Sequence, residues 1–148
     1  MRRALILVAC LLGALIVAVP VLDAIGILHL YRIPSASMEP TLHCARPAPL
    51  CRADTSDRVA TLKYILFSPA RGDLVAFHAP LRARSACGLQ PGTVLIKRIT
   101  RIDHGRYFLR GDNAGSSCDS RVWGTVPRNS LIGRVVAIYW PLDRITTL

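Results

Sequence analysis

Lysine and glutamate are nearly missing from this 148-residue chain, which has two of the first (Lys63, Lys97) and one of the second (Glu39). A search for a chemically active amine is thereby reduced to two positions. There is no Cys-X2-Cys pair, and none of the four histidines stands at ligand spacing from a cysteine, which argues against zinc. Neither a metal nor a cofactor is expected. Zinc-finger, helix-turn-helix and RNA-binding patterns are also missing. The net charge of +10 rests on seventeen arginines scattered singly along the chain, so no nucleic-acid-binding stretch is formed. Scattered arginine fits a domain lying against anionic lipid headgroups, or simply a high-arginine composition, better. Internal repeats and low-complexity tracts are absent, and no long apolar pattern of helical period occurs beyond the N-terminal region.

What the chain does have begins with nineteen uncharged residues, 4–22, after two arginines and before Asp23. That is the length of a helix crossing the hydrocarbon core of a bilayer. The flanking arginines place residues 1–3 in the cytoplasm and residues 23–148 outside, as one extracytoplasmic domain on a single-pass anchor. A cleavable leader fits less well, because the run is long and Leu22-Asp23-Ala24 is a poor cleavage site. A lipoprotein signal at Leu7-Val8-Ala9-Cys10 has only six apolar residues before its cysteine, leaving Cys10 an ordinary intramembrane thiol. The expected location is the cell membrane, with lipid as one partner.

Four cysteines, Cys44, Cys51, Cys87 and Cys118, follow the anchor, where an oxidising compartment permits disulfides. Three connectivities are possible. The short interval 45–50, with Pro47 and Pro49, favours Cys44 with Cys51 and leaves Cys87 with Cys118. The rest reads as all-β, with strands at 59–65, 73–78, 93–100, 106–110 and 131–140. Asp103-His104-Gly105 suits a hairpin loop. The anchor helix is expected to continue toward Tyr31 and stop before Pro34, and residues 79–90 to form a surface loop.

Chemistry concentrates in three places. Ser35 and Ser37 sit in a proline-bracketed turn shortly after the anchor, and a serine hydroxyl needs a base to become a nucleophile. Lys97 lies in the run VLIKRI at 94–99, where alternation puts it on one face with Leu95 and Ile99. Desolvation there lowers the pKa of an ammonium and turns it into a usable base. The third place is the polar loop GDNAGSSCDSRVWG at 111–124, in which Asp119 and Arg121 are spaced for an ion pair.

PSASMEPTL at 34–42, RGDLVAF at 71–77, Lys97-Arg98 and the 111–124 loop, in that order behind one anchor, resemble type I signal peptidase, the membrane-anchored serine peptidase that removes leader peptides from exported proteins. The resemblance extends over about residues 33–140. It implies a coiled β-sheet domain, Ser37 as nucleophile, Lys97 as general base, and an oxyanion hole from the Ser35 hydroxyl and the Ser37 N–H. By the same resemblance Ser117 orients the lysine, Asp119 and Arg121 support the site, and the partners are signal peptides of preproteins cut after an Ala-X-Ala-like sequence. Two features depart from the family: the sizeable insert usual after Lys-Arg is absent, and the segment from Cys44 to Cys51 is additional. A Ser/His arrangement using His43, His78 or His104 has no evident match. A self-cleaving repressor would need a DNA-binding domain for which there is no room. A catalytically inactive membrane-anchored binder of export substrates is the alternative from a different class, and retention of both Ser37 and Lys97 argues against it.

Overall fold

The computed structural model describes residues 2–65 and 68–148. Met1, part of the expected cytoplasmic N-terminus, lies outside the described residues. Helix α1 (Arg2–Ala24) is apolar along its length, buries no side chain and is long enough to cross a membrane. It ends earlier than expected. Gly26 adopts φ 69°, its N–H bonds to the Asp23 carbonyl, and the Ile27 N–H reaches back to the Leu22 carbonyl. This is the reverse-turn cap that glycine makes cheaply at a helix end. The chain leaves it as strand β1 (Leu28–Arg32), not as the helix expected up to Tyr31, because the edge of the sheet takes up its backbone groups.

The other strands are β2 (Arg58–Lys63), β3 (Leu74–His78), β4 (Val94–Asp103), β5 (Arg106–Arg110), β6 (Val126–Pro127), β7 (Leu131–Trp140) and β8 (Thr146–Thr147). All belong to one antiparallel sheet in the order β1-β2-β7-β3-β4-β5-β6, with β8 paired to β7. The expected all-β domain behind one apolar helix is what the chain forms. Residues 79–90 were expected as a loop, yet they contain helix α2 (Leu81–Cys87). Pro80 precedes its first turn, where the missing N–H costs nothing, and only Ala83 is buried, so apolar periodicity gives little sign of it. A one-turn helix, α3 (Ser120–Trp123), lies in the polar loop.

Two apolar clusters form the interior. One gathers Ile33, Met38, Leu42, Val59, Leu74, Val135 and Ile138, and the other Val75, Phe77, Ile99, Leu109, Trp123 and Val126. Strand β4 stands between them, since Ile99 belongs to the second cluster while Ile96 packs on the first. The lysine between those two residues is therefore carried into the interior by the same strand that builds it. Disulfides join Cys44 to Cys51 and Cys87 to Cys118.

Candidate active site

After β1 the chain turns at Ile33-Pro34 into a single 3-10 turn, Ala36–Met38. Ala36 and Met38 are buried on either side of Ser37, which remains half-exposed. Anchoring both neighbours in the core fixes the backbone of Ser37 and turns its side chain the other way. The Ser37 carbonyl accepts the Asn113 N–H at 3.1 Å, tying this turn to the polar loop.

Lys97, sixty residues away in sequence, lies directly against this serine. Its Nζ donates to Ser37 Oγ at 2.6 Å, and the residue is only 2% exposed. Burial lowers the Lys97 ammonium to a pKa of about 8, although Asp119 and Asp112 pull in the opposite direction. Ser35 Oγ lies 3.3 Å from Ser37 Oγ, with Ser35 exposed. An amine with its pKa lowered to about 8 has a usable neutral fraction near physiological pH, and a hydroxyl in contact with it can lose its proton as it attacks.

The polar loop backs the pair. Asp119 is fully buried and caps α3 through the Arg121 N–H. It also accepts the Gly111 N–H at 3.0 Å and two bonds from the Arg121 guanidinium, at 2.8 and 2.9 Å. Burial alone raises this carboxyl, but the Arg121 guanidinium and the backbone donors outweigh it and hold the group at about 2. Arg121 reaches the Ala114 and Ser117 carbonyls as well. Ser117 Oγ is buried without a hydrogen bond of ordinary geometry, though near enough to help lower Asp119. Among the described residues no hydrogen bond joins Ser117 to Lys97. Gly111 has no room for a side chain, because a Cβ there would run into Ser117 and would lie 2.5 Å from the Ser37 carbonyl.

One constellation has no assigned role in the sequence reading. Thr41 Oγ1 donates to Asp112 at 2.6 Å, and Arg98 grips the same carboxylate through Nε and Nη2 at 2.9 and 2.7 Å while its Nη1 reaches the Gly72 carbonyl. Thr41, Arg98 and Asp112 thus clamp the serine turn, the lysine strand and the polar loop together. Adjacent acids and bases in the motif blocks were its only trace in the sequence. Among the described residues no group of three or more His, Cys, Asp or Glu side chains could hold a metal. A pocket of about 110 Å³ opens beside the pair, lined by Tyr31, Ile33, Ser35, Ser37, Leu95 and Lys97 among others.

An antiparallel β-sheet domain behind one apolar helix, with a hydroxyl held against a buried amine, has the build of a membrane-tethered serine hydrolase. The family model described as signal peptidase, peptidase S26, matches residues 3–103 and 99–140, so the chain belongs to that family of serine peptidases. Signal peptidase I of Leptolyngbya laminosa is 28% identical over 155 residues, covering 78% of this chain and 70% of its own. The probable signal peptidase I-2 of Synechocystis is 30% identical, with 78% of this chain and 65% of its own covered. Mitochondrial inner membrane protease subunit 2 of Saccharomyces cerevisiae is 29% identical over 141 residues, covering 85% and 77%.

Proposed function

We propose that the chain is a membrane-anchored endopeptidase that removes leader peptides from exported preproteins, with Ser37 as nucleophile and Lys97 as general base. The observation that carries the reading is the 2.6 Å contact between Lys97 Nζ and Ser37 Oγ inside an apolar setting. In its neutral form Lys97 accepts the Ser37 proton as Oγ attacks the scissile carbonyl. The tetrahedral intermediate expels the amine of the mature protein, which takes the proton from Lys97, and leaves an acyl-enzyme. Neutral Lys97 then takes a proton from water as the water attacks the ester, and returns it to Ser37 Oγ as the acyl group leaves. The Ser37 N–H and the Ser35 hydroxyl are the donors assigned to the oxyanion, and Asp119, Arg121 and Ser117 keep the loop behind Lys97 in place.

The anchor helix spans the cell membrane with its N-terminus cytoplasmic and the β-domain outside. An extended substrate presents its first and third residues before the scissile bond to the enzyme, so small side chains are required at both. Only two residues join β4 to β5, just after the overlap at 99–103 of the two stretches matched by the family, so the β4–β5 hairpin carries no inserted domain over the substrate.

Incubating the detergent-solubilised protein with a preprotein and sequencing the new N-terminus tests the reading. Cleavage after Ala-X-Ala that is abolished by Ser37→Ala and by Lys97→Ala is the expected result. A folded protein that binds the preprotein without cutting it, and whose Ser37 resists an acylating inhibitor, would be a binder and not a peptidase.

A further inference from the structure

The pocket beside Ser37 and Lys97 continues along β4 away from the pair. Its far end is formed by Tyr31 and Val94, and the same two residues line a second cavity of about 330 Å³. The walls of that cavity are His29 and Tyr31 from β1, His78 from β3 and Val94 from β4, with Lys63 of β2 and Asn129 closing it. His29 and Tyr31 share one face of β1, two residues apart, and His78 stands opposite Val94 in the β3–β4 register. One groove therefore runs from the reactive pair to a chamber of mixed lining, whose remaining wall is Leu131 and Ile132.

The lining of the chamber is one-sided. Its polar groups are an ammonium, two imidazoles, a phenol and a carboxamide, and among the described residues no lining side chain is acidic. The neighbouring carboxylate, Asp23, raises the Tyr31 phenol after burial does, but does not line the cavity. Lys63 is one of only two lysines in the chain, and the other is the buried partner of Ser37. Such a chamber favours an anion over a cation, because a cation would face the Lys63 ammonium with no carboxylate among the described lining residues.

Direction along the groove follows from the anchor. The Lys63 N–H bonds to the Ile27 carbonyl, three residues past the end of α1, so the chamber is at the end of the groove nearest the membrane helix. The apolar part of a leader lies in the membrane on the N-terminal side of its cleavage point, so the part of the substrate running toward this end is the part upstream of the scissile bond. Val94 is three strand residues from Lys97, roughly 10 Å at strand spacing, which brings the chamber level with residues roughly four to six before the cut.

We propose that this chamber is a subsite for an acidic side chain in the leader, upstream of the small residues next to the scissile bond; the inference rests on the peptidase reading above. Lys63 supplies the charge, and His29, His78 and Asn129 supply donors around the carboxylate. A substrate with Glu there is held in line with the reactive pair, and one with Lys is repelled.

The test uses the full-length protein in detergent and preproteins that keep the Ala-X-Ala sequence but carry Glu, Gln or Lys at each of the fourth, fifth and sixth positions before the cut. At one of these positions Glu should give a kcat/KM about threefold to tenfold above Gln, with Lys lowest, and the difference should shrink in high salt. Lys63→Glu should reverse the order of the Glu and Lys substrates. Cleavage blind to charge at all three positions would overturn the subsite while leaving the peptidase reading intact. Failure to cut any of the preproteins would overturn the peptidase reading, and the subsite with it. If cleavage is blind to charge while phosphatidylglycerol in reconstituted vesicles raises the rate and Lys63→Glu removes that effect, the chamber holds a lipid headgroup and the substrate assignment is wrong.

Discussion

Lys97 sits where an ammonium is poorly solvated, and the consequence is a set of opposed pH dependences. Burial brings its pKa from 10.5 in the unfolded reference to about 8, so between those values the unfolded chain binds more protons and stability rises with pH. Below pH 8 the folded state carries the full penalty, roughly 3 kcal/mol for a shift of this size. Lys97→Met keeps the bulk and drops the charge. It should raise the unfolding free energy by about 1–3 kcal/mol at pH 7, measured in urea, with the advantage gone above roughly pH 10.5. A variant less stable than its parent at pH 7 would mean that the amine supports the fold. In the proposed mechanism catalysis uses the same shift in the other sense. The single-turnover acylation rate should climb through about pH 8 and level off above it, as the neutral amine becomes the main form. Lys97→Arg should show no turnover at any of these values, since a guanidinium does not give up its proton.

At the scale of elements, the reactive pair depends on a loop that contributes no atom to the Ser37–Lys97 contact. The segment 111–124 is held by Asp119 from within and by Cys118, which is bonded to Cys87 of α2. Gly111 sits where this loop touches both Ser117 and the Ser37 carbonyl, so Gly111→Ala must push one of them aside. Overpacking of this kind costs about 1–3 kcal/mol. The activity of Gly111→Ala should fall more than tenfold under conditions where circular dichroism still shows the native sheet. Normal turnover would mean that the serine turn and the loop are independent. How much of this arrangement was legible varies by element. Strands β5 and β7 match their expected spans to the residue, because alternation and flanking turn residues both mark them. The early end of α1 was missed because the apolar pattern continues through Ile25, Ile27 and Leu28, and only Gly26 breaks it. Helix α2 was missed because a seven-residue helix with one buried side chain leaves no period to read. Ser37 and Lys97 could be paired from motif order alone. The Thr41–Asp112–Arg98 clamp could not, since it depends on how the serine turn, β4 and the polar loop meet.

Across the whole molecule, the anchor and the sheet are mechanically separable. No residue of α1 is buried, and its cap closes on its own carbonyls before β1 begins at Leu28. Ser37 follows Ala24 by only thirteen residues, and five of those are spent in β1, so with α1 in the membrane, as proposed, the groove cannot move far from the membrane surface. On the proposed reading the helix acts on encounter and not on chemistry: it confines enzyme and leader to the same thin layer and raises their effective concentration. Removing residues 2–24 should leave a domain whose Tm lies within a few degrees of the parent and whose kcat/KM on a water-soluble Ala-X-Ala peptide is the same within about twofold. Processing of a preprotein reconstituted in vesicles should fall by more than about tenfold, and fusing an unrelated membrane helix in place of α1 should restore it. A truncated domain that unfolds would show that α1 is part of the fold. Undiminished processing in vesicles would show that the β-domain finds the membrane by its own surface, with the scattered arginines as the first residues to substitute.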